Sequence, residues 1–179
     1  LRQRYDGYHF CPNAQGMYNP FSVLLSLQKR EYGSFWFSTG TPTYLVQLMK
    51  EADLNPSALS GYEASASELD SIQISVDNPI AVLYQSGYLT IKGYDKELQL
   101  YSLDFPNKEV EEGFIRFLMP MYTAISELDS PSFIGKFVRE VRACKVDEFM
   151  KRLRALMADT PYEIIRDLEN HYQDVMYIF

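Results

Sequence analysis

Apolar residues recur at spacings of three and four through most of this chain, and the runs begin at one repeated local signal. Asn19-Pro20, Thr41-Pro42, Asn55-Pro56, Asn78-Pro79, Ser130-Pro131 and Thr160-Pro161 each put a helix-capping side chain before a proline suited to the first helical turn. The pattern predicts a helix over about 20–30, with Phe21, Leu24, Leu25 and Leu27 inward. It predicts a second over 42–52, with Leu45, Val46, Leu48 and Met49 inward, and a short third one from Pro56. The stretch 61–71 is rich in Ser, Ala and Glu and reads as a loop. Residues 70–76 alternate through Ile72, Ile74 and Val76 and read as a short strand.

The period changes near the centre. A helix over 79–86 stops at Gly87, a residue suited to the left-handed position after a helix. A strand over 88–92, a turn over 93–97 and a return strand over 98–103 follow. Asn107 then caps a long helix carrying Val110, Phe114, Phe117, Leu118, Met121 and Ile125 on one face, with Pro120 expected to kink or break it. Helix, hairpin, helix is the layout of a winged-helix module, the hairpin being the wing. Beyond it, 131–144 carries Phe133, Phe137, Val138 and Val141, and 146–157 carries Phe149, Met150, Leu153 and Leu156. A final helix opens on the capping box Thr160-Pro161-Tyr162-Glu163 and runs through Leu168, Tyr172, Val175 and Phe179. The expected class is α+β, mostly α. A helical, lid-like segment covers 1–60, a winged-helix-like module 61–127, and a helical connector 128–179.

Charge then narrows the partners. The 179 residues carry a net charge of −7, so no general basic field draws nucleic acid. Lys92 and Lys96 on the wing are the candidate nucleic-acid contacts, offset by Asp95 and Glu97 and by Glu109, Glu111 and Glu112 on the next helix. That balance favours protein docking, with a nucleic-acid-binding winged helix as the alternative function. The basic residues between Arg139 and Arg154 are interrupted by Glu140, Asp147 and Glu148 and read as a solvated helix face. No apolar run approaches the roughly 18 residues a membrane span needs. With Cys11 and Cys144 read as free thiols, this points to a cytoplasmic chain without a membrane partner. The chain opens on Leu1 and closes on Ile178-Phe179 inside an apolar pattern, and reads as a segment of a longer protein.

Catalytic signatures are missing from the sequence. The one Gly-Lys pair, Gly135-Lys136, is followed by Phe137, and Ser130 stands where a phosphate-binding loop has its first glycine. None of the eight lysines has an acidic residue two positions before it, as a PD-(D/E)xK nuclease strand requires. His9 and Cys11 make a minor zinc alternative, and no metal site is expected. Asp6, His9 and Cys11 together lack an oriented nucleophile, base and anion hole. Ser38-Thr39-Gly40-Thr41-Pro42 leads into a helix N-terminus, where free amides can hold an anion, although a plain cap is the commoner use.

Several of these segments form a series. Tyr5-Asp6-Gly7-Tyr8-His9-Phe10, Tyr18-Asn19-Pro20-Phe21-Ser22, Trp36-Phe37 with Thr39-Gly40-Thr41-Pro42, Gln85-Ser86-Gly87-Tyr88-Leu89-Thr90-Ile91 and Pro106-Asn107-Lys108-Glu109-Val110 occur in order. Over about residues 1–125 the chain resembles the predicted AAA-ATPase-like family of Bacteroidetes and clostridia, which is similar to STAND-type ATPases and usually carries a C-terminal PD-(D/E)xK nuclease-like domain. The resemblance implies a middle segment between a phosphate-binding loop upstream and nuclease strands downstream. ATP and Mg would belong to the parent protein and no cofactor to this segment. Its partners would be the ATPase core and the nuclease-like domain of the same polypeptide, with an oligomer open. Thr39, Gly40, Thr41 and Pro42 would face the nucleotide or the core. Glu169, in the run Glu169-Asn170-His171-Tyr172-Gln173, would assist a downstream nuclease site.

Overall fold

In the computed structural model the described residues are 1–37, 43–52, 54–70, 78–123, 125–126, 129–160 and 168–178. The expected strand over 70–76, the segment 38–42 and the opening of the last helix lie outside them. The chain is α+β and mostly helical, and divides into two compact units, Leu1–Phe114 and Ile115–Phe179.

The first unit opens with a single helical turn, α1 (Arg2–Tyr5), followed by α2 (Pro20–Lys29) and α3 (Thr43–Glu51). A 3₁₀ turn, Pro56–Leu59, leads to β1 (Tyr62–Ser65) and α4 (Ala66–Leu69). Then come α5 (Pro79–Gln85), β2 (Thr90–Asp95), β3 (Leu100–Asp104) and α6 (Lys108–Tyr122), which runs past the unit boundary. The three strands form one antiparallel sheet in the order β1-β3-β2. From α3 to β3 this is the element order of a winged helix, with β2 and β3 as the wing.

Three asparagine caps act as the sequence predicts. The Asn19 side chain accepts hydrogen bonds from the Phe21 and Ser22 amides, Asn78 from Ala81, and Asn107 from Val110. Gly87 ends α5 at φ +82°, and the chain doubles back with the Tyr88 amide on the Leu83 carbonyl at 2.9 Å. Leu45, Leu48 and Met49 of α3, and Val110, Phe114 and Leu118 of α6, are buried as their spacing requires.

Four expectations are corrected. Within the expected loop over 61–71, residues 62–69 form β1 and α4. Ser65 caps α4 by accepting from the Glu68 amide, and the Tyr62 hydroxyl donates to the Glu68 carboxylate. Pro120 does not break α6, which continues to Tyr122. The missing amide falls in the last turn, where the Thr123 amide and hydroxyl both bond the Met119 carbonyl. The strands are displaced by about two residues, because Asp95 accepts from the Glu97 and Leu98 amides and so moves the turn past Asp95. On α2 the expected faces are reversed: Ser22 and Ser26 are buried, while Phe21, Leu24 and Leu27 are exposed. Small side chains let this helix approach the body closely, and its large apolar ones point away.

The second unit contains α7 (Ser130–Arg142), α8 (Val146–Asp159) and α9 (Leu168–Ile178). Phe137 is buried at the α7–α8 crossing, with its ring 5.2 Å from Phe149 and 5.3 Å from Phe133. Arg152 of α8 donates from Nε to both Glu140 oxygens, at 2.9 and 3.0 Å. Val141, Met150 and Tyr172, expected inward, are exposed. Ser130 caps nothing ahead of it. Its hydroxyl turns back to the Ser126 carbonyl, as that of Thr160 does to Leu156. No helix among the described residues is long and apolar enough to cross a membrane.

His171 of α9 is buried, and its Nε2 finds no hydrogen-bond partner among the described residues. Burial lowers its pKa from the ordinary 6.5, so the folded state holds the neutral ring while the unfolded chain takes up a proton. The stability this ring confers is full above about pH 6.5 and is lost as pH falls, at a slope of at most about 1.4 kcal/mol per pH unit. Urea midpoints at pH 7.5 and 5.5 check this: wild type should lose more than His171→Leu.

Candidate functional site

The described parts of the Tyr5–Phe10, Trp36-Phe37, Gln85–Ile91 and Pro106–Val110 segments meet at one junction in the first unit. The N-terminal stretch is fixed first. The Tyr5 hydroxyl donates to the Gly33 carbonyl and accepts from the Gly33 amide, and Tyr8 and Met17 exchange backbone hydrogen bonds. Gly7 sits at φ +116°, where side chains are strained, and a Cβ there would lie 2.1 Å from the Pro106 carbonyl oxygen. Its glycine therefore lets Tyr5–Phe10 lie directly against the Phe105–Asn107 turn.

Hydrogen bonds then lock this stretch to the wing. The His9 amide donates to Thr90 Oγ1 at 2.7 Å, and the same hydroxyl donates to the His9 carbonyl at 2.8 Å. Lys92 has no partner residue across the β2–β3 ladder, which shifts register between Ile91 and Gly93. The bulge aims its ammonium at two carbonyls, Pro106 at 3.0 Å and Gly7 at 3.3 Å. Burial lowers the Lys92 pKa, with Asp104 and Asp6 acting in the opposite sense.

The second half of the junction is aromatic and anionic. Trp36 and Phe37 pack on Tyr88, with ring centroids at 4.9 and 5.8 Å, and Tyr88 packs on Phe114 at 5.6 Å. Gly113 leaves room for Phe37, since a Cβ there would fall 2.2 Å from its ring. Glu109, in the first turn of α6, is completely buried; its Oε1 accepts from the Trp36 amide at 2.9 Å, and its Oε2 has no hydrogen-bond partner among the described residues. One turn on, Glu112 accepts from Arg4 at 2.7 Å. Both carboxylates were expected only to offset the wing lysines; the structure shows them tying α6 to residues far away in sequence. The Tyr8 hydroxyl is pushed up to about 12, by burial first, with Glu109 and Tyr88 adding and the Asn19 hydrogen bond opposing. Tyr8 is therefore no proton acceptor near neutrality.

Thr39, Gly40, Thr41 and Pro42 lie outside the described residues. Lys92 and Lys96 are both exposed; the Lys92 ammonium bonds carbonyls of its own chain, and Lys96 lies at the wing tip. Helix α5, which sits where a winged helix carries its recognition helix, is buried from Pro79 to Leu83 and has little surface to offer a groove. Glu169 lies in the first turn of α9 in the other unit. Asp6 and His9 come together on either side of Gly16, and His9 Nδ1 bonds the Ala14 carbonyl at 2.9 Å, while Cys11 is an exposed free thiol. Among the described residues no three His, Cys, Asp or Glu side chains converge as a metal site. The residues that sequence reasoning passed over are Gly7, Glu109 and Gly113. Glu109 had one signal: a Glu two positions after an Asn cap, ahead of an apolar helix.

A groove of about 470 Å³ in the second unit is lined by the apolar Ile125, Phe133, Ala155 and Leu156 and by the charged Glu148, Lys151, Arg152 and Asp159. The Arg152 guanidinium is already held by Glu140.

No known family profile and no solved structure matches the chain. An "uncharacterized protein in vnfD 5′ region" from Azotobacter chroococcum mcd 1 is 36% identical over 124 residues, which is 68% of this chain. Those residues are 24% of the relative, so the chain spans about a quarter of the length of the curated relative it matches.

Proposed function

We propose that this chain is a non-catalytic coupling segment of a AAA-ATPase-like protein, acting in the cytoplasm. It would relay the state of a nucleotide-binding core to an effector domain. The observation that carries this reading is the use made of the shared motifs. Tyr5, Gly7, His9, Asn19, Trp36, Thr90 and Glu109 are spent on partners within the chain, through hydrogen bonds and close packing. Residues serving substrate would keep polar groups turned toward a cleft. These hold the N-terminal stretch, the wing and the start of α6 in one fixed relation, as a relay element requires. Nucleotide, Mg and nuclease chemistry then belong to the partners of the coupling, in line with the sequence resemblance.

Calorimetry of this chain with ATP and Mg tests the reading. The expected result is no saturable heat at millimolar nucleotide; stoichiometric binding would overturn it. A labelled DNA duplex at low salt should likewise remain unshifted, because Lys92 is engaged and α5 is covered.

A further inference from the structure

We propose that the outward face of α2 is a contact between two copies of this chain. From Met17 to Gln28 the sequence is Met-Tyr-Asn-Pro-Phe-Ser-Val-Leu-Leu-Ser-Leu-Gln, with no charged residue in a chain that is 23% charged. The buried serines, Ser22 and Ser26, lie one turn apart, and on the 100° helical wheel Leu24 stands opposite them. Phe21 and Leu27 flank it. Their exposures are 43% for Phe21, 67% for Leu24 and 63% for Leu27, continued by Met17 at 54% and Tyr18 at 42%. An ordinary surface helix presents its polar face to water and buries the apolar one. This one does the reverse, while its cap, Asn19, is fully formed.

Area and charge select a second copy as the occupant. Large side chains expose on the order of 200 Å² each, so these five at about half exposure present roughly 500 Å² of apolar surface. That matches the apolar share of one side of a standard interface, about 800 Å² per partner and near 65% apolar in homodimers. A two-fold axis through Leu24 would pair the helix with itself antiparallel, Phe21 of one copy against Leu27 of the other. The absence of charge over Met17–Gln28 keeps the net −7 of each copy out of the contact.

Light scattering and sedimentation equilibrium of the full 1–179 chain test this at about 100 μM, well above the dissociation constant usual for an interface of this size. The expected mass is twice the 20.8 kDa of one chain. Leu24→Glu and, separately, Leu27→Glu should weaken the dimer about a hundredfold or more while the melting temperature of the monomer stays within error, because both positions are exposed. A monomer at every concentration would overturn the proposal and assign the face to another partner. A dimer indifferent to both substitutions would overturn it equally.

Discussion

Gly7→Ala should lower the stability of the first unit by at least about 3 kcal/mol, or roughly 10 °C in melting temperature. Two terms add. At φ +116° an alanine is strained by about 1–3 kcal/mol. Its Cβ would also stand 2.1 Å from the Pro106 carbonyl oxygen, a backbone atom that no rotamer can move. Relief requires the stretch to lift off the Phe105–Asn107 turn, which breaks the paired His9–Thr90 hydrogen bonds and the Lys92 bridge between Gly7 and Pro106. Gly61→Ala provides the control. Gly61 also has positive φ, at +72°, but nothing lies within 4 Å of a Cβ there, so its cost should stay near 1–2 kcal/mol. Urea denaturation of both variants separates the terms. Equal losses would mean that the close approach at Pro106 contributes nothing.

Glu109→Ala should cost about 2–4 kcal/mol. The substitution leaves the Trp36 amide without its acceptor and empties a fully buried side-chain volume beneath the aromatic cluster. Glu109→Gln isolates the role of charge. Glutamine keeps an oxygen for the Trp36 amide and sheds a buried negative charge whose second oxygen has no hydrogen-bond partner among the described residues. Its stability should stay within about 1 kcal/mol of wild type. If Gln is as damaging as Ala, charge rather than hydrogen-bond geometry holds the junction. If Ala is neutral, Glu109 does not anchor Trp36 at all.

Local signals in the sequence were legible, and long-range pairings were not. Asn19, Asn78, Asn107 and Gly87 act within a few residues of themselves, and each was placed correctly because capping chemistry is short-ranged. The wing was found to within two residues. What displaced it was the Asp95 side chain bonding two amides of its own turn. Ser65-Ala-Ser-Glu68 is a capping box, and it marked α4 inside a stretch whose composition suggested a loop. For α2, periodicity gave the two faces but not which of them meets the body. That depends on what covers the apolar side.

The junction was legible only as a set of motifs. Glu109 and Glu112 are charged helix residues, and such residues usually face water. Their partners, Trp36 and Arg4, lie 73 and 108 positions away, and no local pattern announces either. Lys92 shows the same limit. Its placement on a hairpin suggested an outward contact, whereas the bulge beside it turns the ammonium onto Gly7 and Pro106.

Hydrogen exchange on three amides tests most directly whether the motif residues form a permanent clamp. The amides of His9, Gly33 and Trp36 each donate to a side-chain oxygen, those of Thr90, Tyr5 and Glu109, at 2.7, 3.0 and 2.9 Å. In a permanent clamp they exchange only with global unfolding, at the same apparent free energy as the amides of the central strand β3. Exchange orders of magnitude faster than β3 would contradict the account, because the junction would then open while the sheet stayed folded.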